Sequence, residues 1–421
     1  MPKVVPLVRG MRDLRSDEVN AIGFVESAFS DVLSSYGYEY IRLPVIEHTA
    51  LFSRGLGEAT DAVSKEMFSI IEESDALSLR PEGTASCARA VIDGNLYRGN
   101  KPKLWYAGSM FRRERPQRGR YREFYQVGAE AFGYEGPDID AEFIRLVQDV
   151  WERLKIDHAI TLEINTLGSA ESRHAYRNAL VEYLRPHKEA LDEDSQRRLD
   201  LNPLRILDSK NQRTQEILQD APLMEDFLDE HSLNHFKEFR NLLERHDIHG
   251  QVNSRLVRGL DYYTHAVFEW NTDLLGAQKQ VGGGGRYDGL CELLGGNPCP
   301  GVGFAIGIDR VALLLQQLEI ETPKAQPDAY ILALSDDEQA FADKVSQQLR
   351  SETKLAVRSH LGGGKVKARM QMADRSGAEY ALIIGAQEAA CNHVAIKWLR
   401  AEREQITVPL AELSATLLNS D

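Results

Sequence analysis

Cysteine is scarce in this chain. Four cysteines, Cys87, Cys291, Cys299 and Cys391, are spread over 421 residues and none forms a Cys-x-x-Cys pair. That sets aside zinc modules and dithiol redox motifs and fits a cytosolic chain with reduced thiols. Long hydrophobic runs are missing too. No charge-free stretch approaches the roughly 20 residues needed to cross a bilayer, and the opening Met-Pro-Lys-Val-Val-Pro-Leu-Val-Arg is too broken by proline and charge to read as a signal peptide. There is no excess of positive charge. The 50 Lys and Arg residues against 64 Asp and Glu leave a net −14. A uniformly basic nucleic-acid glove is therefore excluded, and any polyanion must be met by a local concentration of basic groups. What is present is globular in proportion, 43% hydrophobic and 27% charged, which excludes disorder and collagen. At roughly 150 residues per domain, the length suggests about three domains or one large domain with additions.

The elements follow a readable order. Asp17 and Glu18 suit the positive end of a helix that Ser16 is placed to cap; Ile22, Val25, Phe29, Val32, Leu33 and Tyr36 recur at helical spacing, and Gly37 ends it. Tyr38 to Glu47 reads as a strand, at an edge or bulged because of Pro44. Residues 65–135 read as mostly extended, with Leu104 to Arg115 and Tyr121 to Phe132 joined as a hairpin through Pro116-Gln117-Arg118-Gly119-Arg120. A helix over 140–154 and a strand over 161–165 follow. Residues 168–250 are charged, glycine-poor and helix-favouring, the signature of an inserted helical subdomain. Strand-like sequence resumes over 253–270, and Gly301 to Ile308 leads into a helix from Asp309. Thr322-Pro323-Lys324-Ala325-Gln326-Pro327 has linker composition. Beyond it strands and helices alternate through Ile384, as in a small α/β domain.

The hairpin carries the densest polar pattern. Alternation puts Arg112 and Glu114 on one face of its first strand, and Phe124, Gln126 and Glu130 on one face of its second. A solvated sheet face is the plain reading; a polar pocket is the other. The turn sets Arg112, Arg113, Arg115, Arg118, Arg120 and Arg122 against only Glu114 and Glu123. Arginine makes bidentate contacts with phosphate and base edges, so this turn suits delivery of an RNA end to a small-molecule site; a solubilising turn is the alternative. Gly282 to Gly285 lacks the Gly-Lys-Ser/Thr ending of a P-loop, and Gly301 to Gly307 lacks dinucleotide spacing. What remains is a strand whose glycines let something approach the backbone closely. Arg310, in the first turn of the next helix, opposes the helix dipole and is easier to explain if it faces an anion such as a nucleotide phosphate. Val257 to Tyr263 alone reads as a packed aromatic strand end. His246 and His249 have helical spacing without a third ligand nearby, so surface or cap roles fit them better than metal binding.

Together these segments resemble the class II aminoacyl-tRNA synthetases, and within them the bacterial histidyl-tRNA synthetase family. Ile41 to Glu47 looks like motif 1, Phe111 to Glu114 with Phe124 to Gln126 like motif 2, and Gly303 to Arg310 like motif 3. Arg258-Gly259-Leu260-Asp261-Tyr262-Tyr263, Gly284-Gly285-Arg286-Tyr287-Asp288-Gly289-Leu290 and Leu79-Arg80-Pro81-Glu82-Gly83-Thr84 are similar to segments of the histidine enzymes. The sequence departs in having Asp309 for the usual motif 3 glutamate and Gly284 for a usual alanine, so Asp309 is left out of the catalytic set. The resemblance implies an α/β (α+β) fold. An antiparallel catalytic sheet flanked by helices spans residues 1–325, with the helical insertion at 168–250, and a mixed α/β anticodon-binding domain covers 328–421.

The resemblance also implies chemistry. Histidine and ATP form histidyl-adenylate and pyrophosphate, and the adenylate then acylates histidine tRNA. Arg112 and Arg258 would hold the reacting α-phosphate and carboxylate. Glu82, Gly83, Thr84, Gln126, Glu130, Tyr262 and Tyr263, with those two arginines, would bind histidine. Glu114, Arg120, Phe124 and Arg310, with Arg112, would bind ATP, with Mg²⁺ on its phosphates. Arg115 and Gln117 would meet the tRNA acceptor end, and Arg358, Lys365, Lys367 and Arg369 form the densest basic stretch of the last domain, where a solvated helix face is the alternative. A pocket built on ring hydrogen bonds rejects competitors by about 10⁴–10⁵, so no editing domain is expected. A cytoplasmic homodimer with no membrane association completes the expectation. The rivals are a non-enzymatic synthetase-like regulatory subunit of histidine biosynthesis, another class IIa synthetase and a pure RNA-binding protein. The retained Arg112, Arg258 and Arg310 and the extra domain at 328–421 disfavour the first, the histidine-type segments the second, and the acidic balance the third.

Overall fold

The computed structural model describes residues 4–57, 60, 63, 65–72, 75–258, 262–276, 278–323 and 326–419. Gly259, Leu260 and Asp261, in the middle of the histidine-type segment, lie outside them. The chain divides into two compact units, Met1–Pro323 and Lys324–Asp421.

The strands of the first unit are β1 (Glu39–Tyr40), β2 (Ile46–His48), β3 (Ser69–Glu72), β4 (Asp75–Leu79), β5 (Lys103–Phe111), β6 (Glu123–Phe132), β7 (Thr161–Thr166), β8 (Gln251–Val252), β9 (Thr264–Asn271), β10 (Gln280–Arg286) and β11 (Gly301–Gly307). Among the described residues, eight of them form one sheet in the order β1-β5-β6-β11-β10-β9-β7-β8, and β2, β4 and β3 form a small second sheet. The large sheet is antiparallel from β5 to β7 and parallel at its two ends.

Side-chain alternation divides this sheet into a dry face and a functional face. Val127, Ala129 and Ala131 of β6, Val302, Phe304 and Ile306 of β11, and Phe268 and Trp270 of β9 are buried in one cluster. The helices Asp17–Ser35, Asp138–Arg153 and Ile308–Gln317 supply Phe29, Phe143 and Leu315 to that cluster. Residues of the opposite parity, including Gln126, Glu130, Gly303 and Glu269, point the other way. There the helix Thr84–Asp93 and the helical stretch after β7 contribute Val91, Leu180 and Leu199 to a second cluster. The charged stretch expected to be helical contains the helices Ala170–Leu184, Glu193–Leu201, Gln212–Leu218 and Glu230–Glu244.

Several local expectations are corrected. Ser16 stands at the start of the first helix, but at φ 46° it makes no side-chain cap. The single strand expected over 38–47 is two: β1 pairs with β5, while β2 belongs to the small sheet, and the chain with Pro44 between them joins neither. Residues 84–93, read as extended, are helical. The first hairpin strand ends at Phe111, so Arg112 and Glu114 belong to the loop.

The second unit is a five-stranded mixed sheet, β12 (Ala329–Ala333), β13 (Val357–Ser359), β14 (Tyr380–Ile384), β15 (His393–Trp398) and β16 (Ile406–Pro409), in the order β13-β12-β14-β15-β16. Its core holds Val345, Leu382, Ile396 and Leu413. Arg358, Lys365 and Lys367 are exposed, but Arg369 is buried. Its guanidinium donates to the carbonyls of Gly364 (2.9 Å) and Ala333 (2.7 Å), so it braces the fold and is no part of a basic surface.

Candidate active site

The functional face of the large sheet is floored by glycine, and the register accounts for it. Gly108 pairs with Gln126, Gly303 with Glu130, and Gly283 with Ala305 and Glu269. A Cβ on Gly303 would sit 1.7 Å from Oε2 of Glu130, one on Gly128 would sit 2.4 Å from the Tyr106 hydroxyl, and one on Gly283 would sit 2.6 Å from the Arg258 guanidinium. The groups approaching the glycine strands are therefore the protein's own polar side chains. Above this floor lies a cavity of about 1110 Å³.

One side of the cavity gathers carboxylate, hydroxyl, amide and phenol groups. Glu82 and Thr84 line it, with Gln126, Tyr262 and Tyr263. Glu82 is buried and accepts from the backbone N–H groups of Thr84 (2.6 Å) and Ala85 (2.9 Å) at the start of the helix Thr84–Asp93, where the dipole favours its charge. Burial nevertheless pushes its carboxyl above the usual range. Gly83 lies against the Tyr106 ring, closer than any side chain would allow. Glu130 is fully buried beneath the wall. It accepts from Thr84 Oγ1 (2.7 Å), the Tyr106 hydroxyl (2.9 Å) and the Tyr287 hydroxyl. Burial pushes its carboxyl up to about 8, against the pull of those three hydroxyls. Thus Glu130 stands behind Thr84, which does line the cavity. Tyr262, Tyr263 and Tyr287 pack with ring centroids 4.7–6.5 Å apart.

The other side is cationic. Arg112, Arg120, Arg258 and Arg310 all line the same cavity. Arg112 donates to the Pro81 carbonyl (2.9 Å) and lies 5.2 Å over the Phe124 ring. Glu114, 9% exposed, pairs with Arg120 and lies 3.9 Å from Arg112. Arg310 is held by the carbonyls of Gly119 (3.1 Å) and Gln280 (2.6 Å). Burial lowers its pKa, and the charges of Arg112 and Arg120 lower it further. Burial is the largest influence on Arg258 and opposes its charge, but its ion-pair partner Glu269 together with Tyr263, whose ring lies 5.6 Å away, and Tyr262 raise its pKa overall. Glu114 and Glu269 balance three of these four guanidiniums, so an entering anion would exchange with those carboxylates, while Arg310 is held by carbonyls. Arg115 and Gln117 lie outside the cavity, exposed on the hairpin loop.

Sequence reasoning missed Glu269, Tyr106 and Tyr287. Glu269 alternates with buried Phe268 and Trp270, a signal that it faces the pocket; Tyr106 gave none, because its partner lies on another strand. His246 and His249 are exposed, as expected of surface histidines. No group of three or more His, Cys, Asp or Glu among the described residues is arranged to hold a metal ion. Any Mg²⁺ would have to come with the phosphates and one or two carboxylates.

Comparison with known proteins bears on this geometry. Residues 10–311 match the family model for histidyl-tRNA synthetase, and residues 328–420 match that for an anticodon binding domain. A histidine–tRNA ligase of Nitrosomonas europaea is 49% identical over the whole of both chains. One of Neisseria meningitidis is 48% identical over 99% of each. A crystal structure of apo histidyl-tRNA synthetase from S. aureus aligns with 98% of this chain and 100% of its own, at a TM-score of 0.82 and 32% identity.

Proposed function

This chain belongs to the histidyl-tRNA synthetase family, class II enzymes that charge histidine tRNA, and on that footing we propose that it works in two steps through histidyl-adenylate. In the first, an oxygen of the histidine carboxylate attacks the α-phosphorus of ATP, the new P–O bond forms, and pyrophosphate leaves. In the second, a hydroxyl at the tRNA 3′ end attacks the activated carbonyl and AMP leaves. The observation that carries this reading is the convergence of Arg112, Arg120, Arg258 and Arg310 on a cavity that also presents Glu82, Thr84 and two tyrosines.

Phosphoryl-type transfer needs alignment and charge neutralisation above all. Arg112 and Arg258 approach the α-phosphate and the attacking carboxylate from two elements, and their fixed charges stabilise the negative charge that grows in the transition state. Arg120 and Arg310 take the phosphate tail, with Glu114 and Phe124 toward adenine. Mg²⁺, when bound, would neutralise part of the triphosphate charge. Glu82 and Gln126 receive the α-ammonium beside Gly83. Tyr263, with Tyr262 alongside it, and Thr84 meet the imidazole. Glu130 acts on the ring through Thr84, or directly by exchanging one hydroxyl partner. Arg115 and Gln117 meet the acceptor end, and the unit after residue 327 meets the anticodon. Tyr40, Val45 and Ile46, each more than 40% exposed in the motif 1 region, fit a homodimer contact. No described helix is long and apolar enough to cross a membrane, and cytoplasmic residence is part of the proposal.

ATP–pyrophosphate exchange with each of the twenty amino acids tests the reading. Exchange with histidine alone supports it, and exchange with a different amino acid refutes it. Arg258→Ala should abolish exchange while leaving the circular dichroism spectrum unchanged; normal exchange by that variant overturns the role given to Arg258.

A further inference from the structure

We propose that residues 9–12 form a strap holding the arginine-rich hairpin loop in its ATP-binding position, with Asp309 as the post to which strap and hairpin are both tied. The inference rests on the reading of the cavity as a histidine-activation site and assigns positioning roles to Arg12 and Asp309.

The loop between β5 and β6 needs outside support. It gathers six arginines, and like charges on a flexible segment repel and spread it. Within it, Gln117 and Arg120 exchange backbone hydrogen bonds of 3.0 and 2.9 Å, and Arg112 N–H donates to the Arg122 carbonyl at 3.0 Å. The strap adds contacts from a distant part of the sequence. Arg122 N–H donates to the Gly10 carbonyl at 2.9 Å, and the Arg122 guanidinium donates to the Arg9 carbonyl at 3.1 Å. Gly10 has φ +91°, and a Cβ there would lie 2.7 Å from the Arg122 side chain and 2.9 Å from Pro116. Only glycine lets the two segments lie this close.

Arg12 and Asp309 lock the arrangement. The Arg12 guanidinium stacks on the Tyr121 ring, 3.4 Å from its centroid, and pairs with Oδ1 of Asp309. Oδ2 of Asp309 accepts from the Tyr125 backbone N–H at 2.6 Å. One buried carboxylate therefore joins the N-terminal segment, strand β6 and the helix Ile308–Gln317. Its neighbour Arg310 in turn donates to Gly119 in the loop. The groups the strap steadies most directly, Glu114, Arg120 and Arg310, lie on the nucleotide side of the cavity, while Arg112 has a separate anchor in the Pro81 carbonyl. Glu82 and Thr84, on the histidine side, are held by the start of the helix Thr84–Asp93 instead. Loosening the strap should weaken ATP binding selectively.

The test measures KM for ATP and for histidine in pyrophosphate exchange, together with the rate of tryptic cleavage at the exposed Arg113 and Arg118. Arg12→Ala should raise KM for ATP about tenfold, leave KM for histidine within about twofold, and speed loop cleavage several-fold. Arg12→Lys should recover much of the loss. Asp309→Asn should resemble Arg12→Ala, and the double variant should be no worse than the worse single one, because both break one link. Equal rises in both KM values, additive losses, or unchanged cleavage would each overturn the strap. If the wild-type protein showed no histidine-dependent exchange, the functional reading would fall. The strap would still be judged by loop cleavage in Arg12→Ala, faster supporting it and unchanged refuting it.

Discussion

Glu130 sets burial against charge without a single cation to help. It is fully buried, and its three partners are hydroxyls. Its carboxyl is pushed up to about 8 by burial, from about 4.5 for a solvated glutamate. In the unfolded chain it ionises as a solvated glutamate does, so between about pH 4.5 and 8 the folded state holds a proton that the unfolded state has lost. Stability therefore falls as pH rises through that window. Glu130→Gln keeps the shape and stays neutral, so its stability should fall less between pH 5 and 8 than that of the wild type, as read from urea unfolding at several pH values. Equal pH slopes would mean that the buried carboxylate is ionised throughout. The adjacent glycine makes a complementary prediction. Gly303→Ala would bring a methyl to 1.7 Å from Oε2 of Glu130. It should cost about 1–3 kcal/mol of stability and raise KM for histidine well above its effect on KM for ATP. From sequence, these glycines read as places of close approach. What approaches was hidden, because cross-strand register is a property of pairing between distant segments.

At the level of elements, what could be read was what depends on local pattern. The Asp17–Ser35 helix and the hairpin strands announce themselves by periods of 3.6 and 2, which burial on one face imposes. Ser16 makes no cap, and its backbone at φ 46° is outside the extended conformation that a capping residue adopts. The strand expected over 38–47 failed because β1 and β2 answer to different sheets, a tertiary choice that Pro44 only hints at. Arg80 shows how such choices are enforced. Its guanidinium donates to the carbonyls of Leu43 (2.8 Å) and Ser109 (2.9 Å), its backbone N–H donates to Val45 (2.9 Å), and its carbonyl accepts from Phe111 N–H (2.9 Å). One buried side chain thus bolts the motif 1 stretch to the end of β5, next to Arg112. Arg80→Met should leave two buried carbonyls unpaired and cost about 2–4 kcal/mol in chemical denaturation. Lysine, a single point donor in place of a planar fork, should rescue little of it. A loss below 1 kcal/mol would show that water or a neighbour replaces both bonds with ease.

The whole molecule is two folding units, each with its own buried core. Phe29, Phe143 and Phe304 lie in one core of the first unit, and Val345, Leu382 and Leu413 lie in the core of the second. Pro323 and Pro327 flank a stretch of linker composition, and the division into two compact units falls after Pro323. The last two strands and the final helix, Leu410–Leu418, went unread, because β15 and β16 are short strands whose partners are each other and β14. The division has a kinetic consequence. Every residue assigned to adenylate formation belongs to the first unit, whose sheet and cavity are complete without residue 324 onward. The anticodon binding match lies wholly in the second. A chain ending at residue 323 should therefore keep histidine-dependent pyrophosphate exchange within several-fold of the full chain, while charging of histidine tRNA falls by at least about 10²-fold, the loss of roughly 3 kcal/mol of RNA binding. The measurement is the ratio of the two rates on the same preparation. If exchange and charging fell together, the second unit would be supporting the first as structure, and its role in holding RNA would have to be abandoned.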